Sequence, residues 1–308
     1  MSESHYYIKI ATNIIEFLYL IPVLTGLIFN ILALMIFSRK KFEKTIFSTY
    51  FRYLCISDTI ILLYKLDYML KEKFFYYLFT IIYFCKILNY FLYILPSISN
   101  WILVIISIDR YLSIVYPTKF LFRKLKQNQI LILLALIIFQ AIVWLSIPFL
   151  AFVSITNNTT NESLVYDCLP GTITVDLIDL LDSSLLPSVL MFISTSLTLR
   201  TIFKSRSKSQ NSNHQNEKSK IKSKDIKFAI SSISLNVLFF VLNIPLSFHL
   251  LTVNFLIIDD YLRKLIYSVC DLLYYINYAS VFFLSYFFNI IFKKEFLDFM
   301  NELKSKFF

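Results

Sequence analysis

The chain has 308 residues, 57% of them hydrophobic and only 16% charged, with two glycines, 32 phenylalanines and a net charge of +10. A soluble globule of that length has too little interior for so much apolar side chain, so lipid must solvate much of it. Two glycines argue against phosphate-cradling loops, which need several residues tolerant of positive φ. A basic balance interleaved with apolar runs points to membrane orientation rather than to nucleic acid.

Uncharged runs map the membrane spans at 17–38, 87–108, 127–161, 183–199, 228–258 and 272–292, and each holds a helix of about 20 residues. A seventh segment lies between Lys44 and Lys65, interrupted by Arg52 and Asp58. The last third of the 127–161 run, Ser154 to Asn161, turns polar, so that run counts once. The predicted fold is an all-α membrane protein, a seven-transmembrane helix bundle forming one domain over 1–308. A tail over 1–12 precedes the first span with no removable signal peptide. A flexible Lys, Ser, Asn and Gln loop covers about 204–224. An amphipathic helix closes the chain over about 292–305, where Phe292, Phe296, Phe299, Met300 and Leu303 repeat at helical spacing between lysines.

Lys and Arg resist translocation. Loops after spans one, three and five, the tail, Arg52 and Arg110 together hold 23 of the 30 basic residues. Lys9, Lys65, Lys71, Lys73, Lys86, Arg263 and Lys264 fall on the other side, against 12 acids. This predicts a multi-pass cell-membrane protein with its amino terminus outside and its carboxyl terminus inside. The Asn-x-Ser/Thr acceptors Asn157, Asn158 and Asn161 all lie in the loop after span four, which agrees, with chance as the alternative.

Cys55 and Cys270 lie inside spans and read as small buried hydrophobes. Cys85 and Cys168 both face the oxidising side, so a disulfide between them is the natural pairing. It would pin the acidic loop across the mouth of the bundle. Three histidines without ligand spacing to these cysteines leave no metal site.

Asp109-Arg110-Tyr111 closes span three and is followed by Ile114-Val115-Tyr116-Pro117, with Cys85 placed 25 positions before Arg110. Asn30 stands in span one, Asp58 in the segment Leu54-Cys55-Ile56-Ser57-Asp58, Pro148 in span four, Pro187 in span five, and Phe239 with Pro245 in span six. On these residues the chain resembles the rhodopsin-like class of G-protein-coupled receptors, over nearly its whole length. The resemblance implies an extracellular ligand, a heterotrimeric G-protein partner and no enzyme activity. It also implies a sodium site at Asp58, Ser99 and Asn277, with no other cofactor. An ionisable group within a span is costly and marks function by default. The alternative is a buried Asp satisfied by hydroxyls.

Asp225 precedes span six at the spacing where receptors of this class hold a resting-state ion pair to the span-three arginine, here Arg110. Breaking such a pair lets span six swing outward and expose Arg110 to the G-protein. The alternative is an interfacial charge without that partner. Leu92, Pro96, Ser99, Leu103, Ile106 and Arg110 share one helical stripe, about 27 Å long from first to last.

Departures from the family pattern are equally specific. The span-four Trp is replaced among Ile137 to Phe139, while Trp144 falls off register, a difference of packing. Leu242 and Asn243 stand where span six carries an aromatic switch, and Thr195 replaces an inward Tyr in span five. Span seven, from Asn277 to Tyr286, has lost both residues of the Asn-Pro pair, leaving Ser285 or Tyr286 for the Tyr slot. These changes imply a different activation relay.

Leu92 in place of an amine-pairing Asp disfavours a monoamine ligand, and no Lys beside Tyr275 disfavours retinal. No basic residue lies between Lys126 and Arg200, whereas Glu162, Asp167, Asp176, Asp179 and Asp182 line the outer part, joined by Asp259, Asp260 and Asp271. Such a field attracts cations. The expected ligand is a small cationic, amidated peptide, as in the invertebrate neuropeptide receptors this chain resembles. The expected pocket comprises Leu92, Pro96, Asn243, His249, Asp271 and Tyr275. An ordinary solvated acidic face is the alternative for the charges, and a chemosensory receptor for small molecules the alternative role. A transporter would need paired broken helices, and an intramembrane hydrolase a nucleophile beside a base. Neither pattern appears.

Overall fold

The computed structural model describes residues 3–43, 46–70, 82–115, 128–146, 152–157, 164–169, 173–209, 216–252 and 259–307. Helix one runs Glu3–Leu18 and, across Tyr19, Leu20–Phe37; helix two is Ile46–Leu70 and helix three Ile82–Val115. Helix four is Gln129–Val143, ending in a 3-10 turn at Trp144–Ser146. Helix five joins Ile173–Ile178, a π-helical turn at Asp179–Leu185 and Leu186–Ser209. Helix six is Asn216–Thr252, helix seven Asp260–Ala279 with Val281–Phe288, and the tail helix Ile290–Phe307.

Among the described residues, three helices are long and apolar enough to cross a membrane unaided, at Lys9–Phe37, Tyr90–Ser113 and Thr174–Lys204. The two parts of helix seven, bent by 53° at their break, meet the same measure when taken together as one span. Helices two, four and six complete the bundle with more polar or shorter apolar stretches, helix two carrying Arg52, Asp58 and Lys65 within its length. Large apolar side chains face outward, among them Phe192 at 72% exposure and Ile138 at 60%, the reverse of a soluble surface and suited to lipid.

Helix also covers much of two segments expected outside the spans. Residues 3–18 are helical, so the expected tail over 1–12 belongs largely to helix one; a run defined by absence of charge stops at Glu16, whereas the helix does not. Much of the expected loop at 204–224 is helix, since helix five reaches Ser209 and helix six starts at Asn216. Lys, Gln and Glu are good helix formers, so polarity alone did not make that stretch irregular.

Among the described residues, one hairpin departs from the helical pattern. Strands β1 (Phe152–Asn157) and β2 (Leu164–Leu169) form an antiparallel hairpin with Phe152 opposite Leu169 and Asn157 opposite Leu164. β2 lies against helix three. The β-branched and aromatic residues flanking Asn157-Asn158-Thr159-Thr160-Asn161 were the available signal.

Helices one, two and seven meet at Gly26. A Cβ there would lie 2.6 Å from Leu62 Cδ1 and 2.7 Å from Ala279 Cβ, so only a residue without a side chain permits this approach. Asn30, fully buried, donates from Nδ2 to the Tyr278 carbonyl at 2.9 Å, tying helix one to helix seven. The helix-seven bend needs no proline. At the break, Ser280 donates both its N–H and its Oγ hydroxyl to the Asn277 carbonyl, which tightens the turn and interrupts the α ladder. At the opposite end from the hairpin, Phe37 stacks on Phe51 at 4.9 Å and meets Phe292 at 4.8 Å. Phe292 thereby anchors the tail helix to the bundle.

Candidate functional site: a polar line along helix three

Near the hairpin end, the π turn of helix five leaves backbone carbonyls that helix three satisfies. The Leu186 N–H reaches back five residues to Leu181. Pro187, buried, has no N–H, so neither Asp182, its partner in the π register, nor Ser183, its partner in the α register, receives a bond from it. Trp101 Nε1 donates to the Asp182 carbonyl at 3.1 Å, and Asn100 Nδ2 to the Ser183 carbonyl at 2.7 Å. The Asp182 carboxylate is buried at 7% exposure and accepts from Ser97 Oγ at 2.7 Å, Trp144 Nε1 at 3.1 Å and Trp101 Nε1 at 3.1 Å. Helices three, four and five are thus held by one carboxylate. Asp182 is therefore no rim charge, and Trp144 is more than a packing difference.

One step along helix three, Ser99 Oγ donates to Asp58 Oδ1 at 2.5 Å, with both residues buried. Asn277 is buried on helix seven, and the contact that closes on Asp58 is made by Ser99. Asn243 of helix six donates to Asn100 Oδ1 at 3.3 Å and so joins the helix-five network. The hydroxyls of Ser184 and Ser247 meet at 2.6 Å beside it.

Further along, Ser107 Oγ donates to Asn236 Oδ1 at 2.9 Å, and Asn236 Nδ2 donates to Thr195 Oγ1. Helices three, six and five are joined here through Thr195, the residue that stands where the family pattern has Tyr. Arg110, one turn beyond Ser107, is 4% exposed, with Asp109 and Tyr111 half-buried beside it. Phe239 is fully buried one turn from Asn236. Asp225 lies on helix six, but its side chain is outside the described residues, as is the expected ion pair with it.

The sequence of the family described as 7 transmembrane receptor (rhodopsin family) matches residues 29–280. The chain belongs to that family. Curated relatives include the N-arachidonyl glycine receptor of Rattus norvegicus, 32% identical over 97 residues, and that of Homo sapiens, 34% identical over 95 residues. Each match covers 30% of this chain and spans 28% of the relative's length. The chain is accordingly a multi-pass membrane protein.

Of the expected pocket residues, Asp271 and Tyr275 come together around Lys65 of helix two. Lys65 Nζ lies 2.7 Å from Asp271 Oδ2, 4.3 Å from the Tyr19 ring centre and 4.6 Å from that of Tyr275. Tyr19 is fixed in turn by its hydroxyl, which donates to the Ser268 carbonyl at 2.7 Å. His249 lines a separate cavity of about 300 Å³ with Leu250, Asp260, Arg263, Lys264 and Tyr267. Leu92 is half-buried and Pro96 buried on helix three, inside the stripe read from the sequence. Pro245 is half-buried inside helix six, two turns before its end at Thr252.

The acidic rim is correspondingly reduced. Asp259 caps helix seven, accepting from the N–H groups of Tyr261 and Leu262, and Asp260 pairs with Arg263 at 3.3 Å. Asp271 and Asp182 are engaged as described. The side chain of Asp167 falls outside the described residues, with those of Cys85, Cys168 and Asn157 and the whole of Pro148, Asn158, Asn161 and Glu162.

The receptor's tail helix is clamped to the short segment after helix one. Arg39 makes a two-pronged ion pair with Glu302 and approaches Glu295 at 3.3 Å, while Lys41 pairs with Glu295. The hydrogen bond to Glu302 holds the Arg39 guanidinium above the ordinary arginine value, and that to Glu295 does the same for Lys41. Tyr286, one claimant to the helix-seven Tyr slot, stacks on Phe282 and meets Phe296 edge-on. Ser285, the other claimant, is buried.

Proposed function

We propose that this receptor displays its amino terminus and hairpin outside the cell, binds a small cationic, amidated peptide there, and activates a G-protein through Arg110 as helix six moves outward. The observation that carries this reading is the succession of interhelical bonds along helix three. They run from the Asp182 clasp through Asp58–Ser99 and Ser107–Asn236–Thr195 to buried Arg110. The Ser107–Asn236 bond ties helix three to helix six, the helix proposed to move, and the other bonds tie helix three to helices two and five and, through Asp182, to helix four. A ligand that shifts helix three at its Asp182 end therefore biases the helix-six contact at the other. The break of a pair between Arg110 and Asp225 remains part of the proposal.

Support for a cationic ligand comes from the walls around Lys65. A carboxylate with two tyrosine faces is the chemistry that recognises an ammonium or guanidinium, and here it already holds one. A second reading rests on that same ammonium. The relatives are named for N-arachidonyl glycine, and a carboxylate ligand would pair with Lys65 in place of Asp271. Sodium at Asp58 fits the donor set in part: Asp58 and Ser99 supply the hard oxygens such an ion prefers. The disulfide between Cys85 and Cys168 and glycans on the hairpin belong to the same proposal.

Expression with a promiscuous Gα subunit, surface delivery followed by a glycosidase shift, and calcium release in response to amidated cationic peptides test it. A response lost in Arg110→Ala supports it. Surface delivery with a response to monoamines or carboxylates alone contradicts the ligand class.

A further inference from the structure

We propose that Lys65 is a tethered cation occupying the receptor's own ligand cage, so that an incoming cationic group must displace it. The inference rests on the cationic-ligand reading and adds the device that regulates that site.

Three walls make the cage. Asp271, 4% exposed, supplies the carboxylate from helix seven; Tyr275, one turn further along the same helix, supplies one ring; Tyr19 of helix one supplies the other. The rings are held independently of Lys65. Tyr19 is pinned to the Ser268 carbonyl, and Tyr275 is braced edge-on by Tyr274 at 5.6 Å and by Tyr19 at 6.2 Å. The walls thus belong to helices one and seven, and the cation belongs to helix two. An occupant from a different helix, on a flexible four-carbon stem, can withdraw without dismantling the walls that hold it.

Stability alone does not account for the pair. A buried ion pair roughly breaks even against apolar residues of similar volume, because desolvating both charges offsets their attraction. An ammonium at 8% exposure, two turns from Asp58 inside an apolar bundle, has strong reason to be replaced unless its charge is used. What the pair does supply is competition. While Lys65 fills the cage, the ligand meets only the fraction of receptors in which it is open, and apparent affinity falls by that fraction. Displacement also has a mechanical consequence. Leu62, one turn from Lys65, touches the Gly26 junction of helices one and seven, so moving Lys65 loads that junction directly.

The test uses full-length, surface-tagged receptor carrying Lys65→Met, Lys65→Arg, Asp271→Asn and the double change Lys65→Met/Asp271→Asn. G-protein activation is measured against amidated tripeptides bearing one arginine, at matched surface density. Lys65→Met is expected to lower the half-maximal concentration at least about tenfold, Lys65→Arg to stay close to wild type, and Asp271→Asn to lose the response. Asp271→Asn leaves Lys65 buried without its carboxylate and risks poor delivery. The double change carries neither charge, reaches the surface and stays silent. A wild type that responds while Lys65→Met responds equally or more weakly overturns the tether alone. If wild type and Lys65→Met both ignore the peptides, while long-chain carboxylates activate wild type and not Lys65→Met, the cationic reading fails and the tether with it.

Discussion

Trp144 donates its indole N–H to the Asp182 carboxylate across 3.1 Å, joining the end of helix four to the π turn of helix five. Trp101 donates to the same residue from helix three, so both tryptophans of the chain converge on one acid. Because Pro187 cannot serve the carbonyls behind it, Trp101 and Asn100 serve them, and Trp144 holds the carboxylate of the same turn. Trp144→Phe keeps most of the apolar volume and removes one donor to a charged group, at a cost of about 1.5–3 kcal/mol. Asp182→Leu removes the acceptor of the Trp144 indole and one acceptor each from Trp101 and Ser97, and costs more. Thermal unfolding of the solubilised receptor checks the order, which is wild type, then Trp144→Phe, then Asp182→Leu.

The seven-helix architecture was legible in the sequence because hydropathy and the motifs of the family carry it. The Asp182 clasp was not. Counting acids between Lys126 and Arg200 treats each as a point of surface charge, whereas a π turn rotates Asp182 inward, and no local pattern distinguishes the two. The pairing of Lys65 was not legible either, because its partner Asp271 stands 206 positions away in the chain. The helix-seven bend survived the loss of its proline because Ser280 supplies the break by another route.

Gly26→Ala should disrupt the junction of helices one, two and seven. The added methyl would meet Leu62 and Ala279 well inside contact distance, and overpacking of this kind costs about 1–3 kcal/mol. Combining it with Ala279→Gly should recover part of the loss. Melting temperatures of the single and double variants decide this, and additive losses would exclude a direct contact.

Sodium should stabilise the receptor through Asp58. Raising sodium chloride against an equal concentration of choline chloride should raise the melting temperature of wild type and leave Asp58→Asn unmoved. Equal shifts in both proteins would remove the ion from Asp58.

Asn236 holds helix six to helices three and five in the present arrangement. Asn236→Leu should free helix six and raise basal nucleotide exchange on the G-protein. One net hydrogen bond of about 1 kcal/mol corresponds to a change of roughly fivefold in a two-state equilibrium. Unchanged basal exchange at equal surface density would exclude Asn236 from the relay.

The most direct measurement is agonist-driven nucleotide exchange by wild type and Arg110→Ala at matched surface density, with Asp225→Ala alongside. The account predicts that Arg110→Ala reaches the surface and is silent, while Asp225→Ala raises basal exchange. Full exchange by Arg110→Ala would contradict coupling through the inner end of helix three.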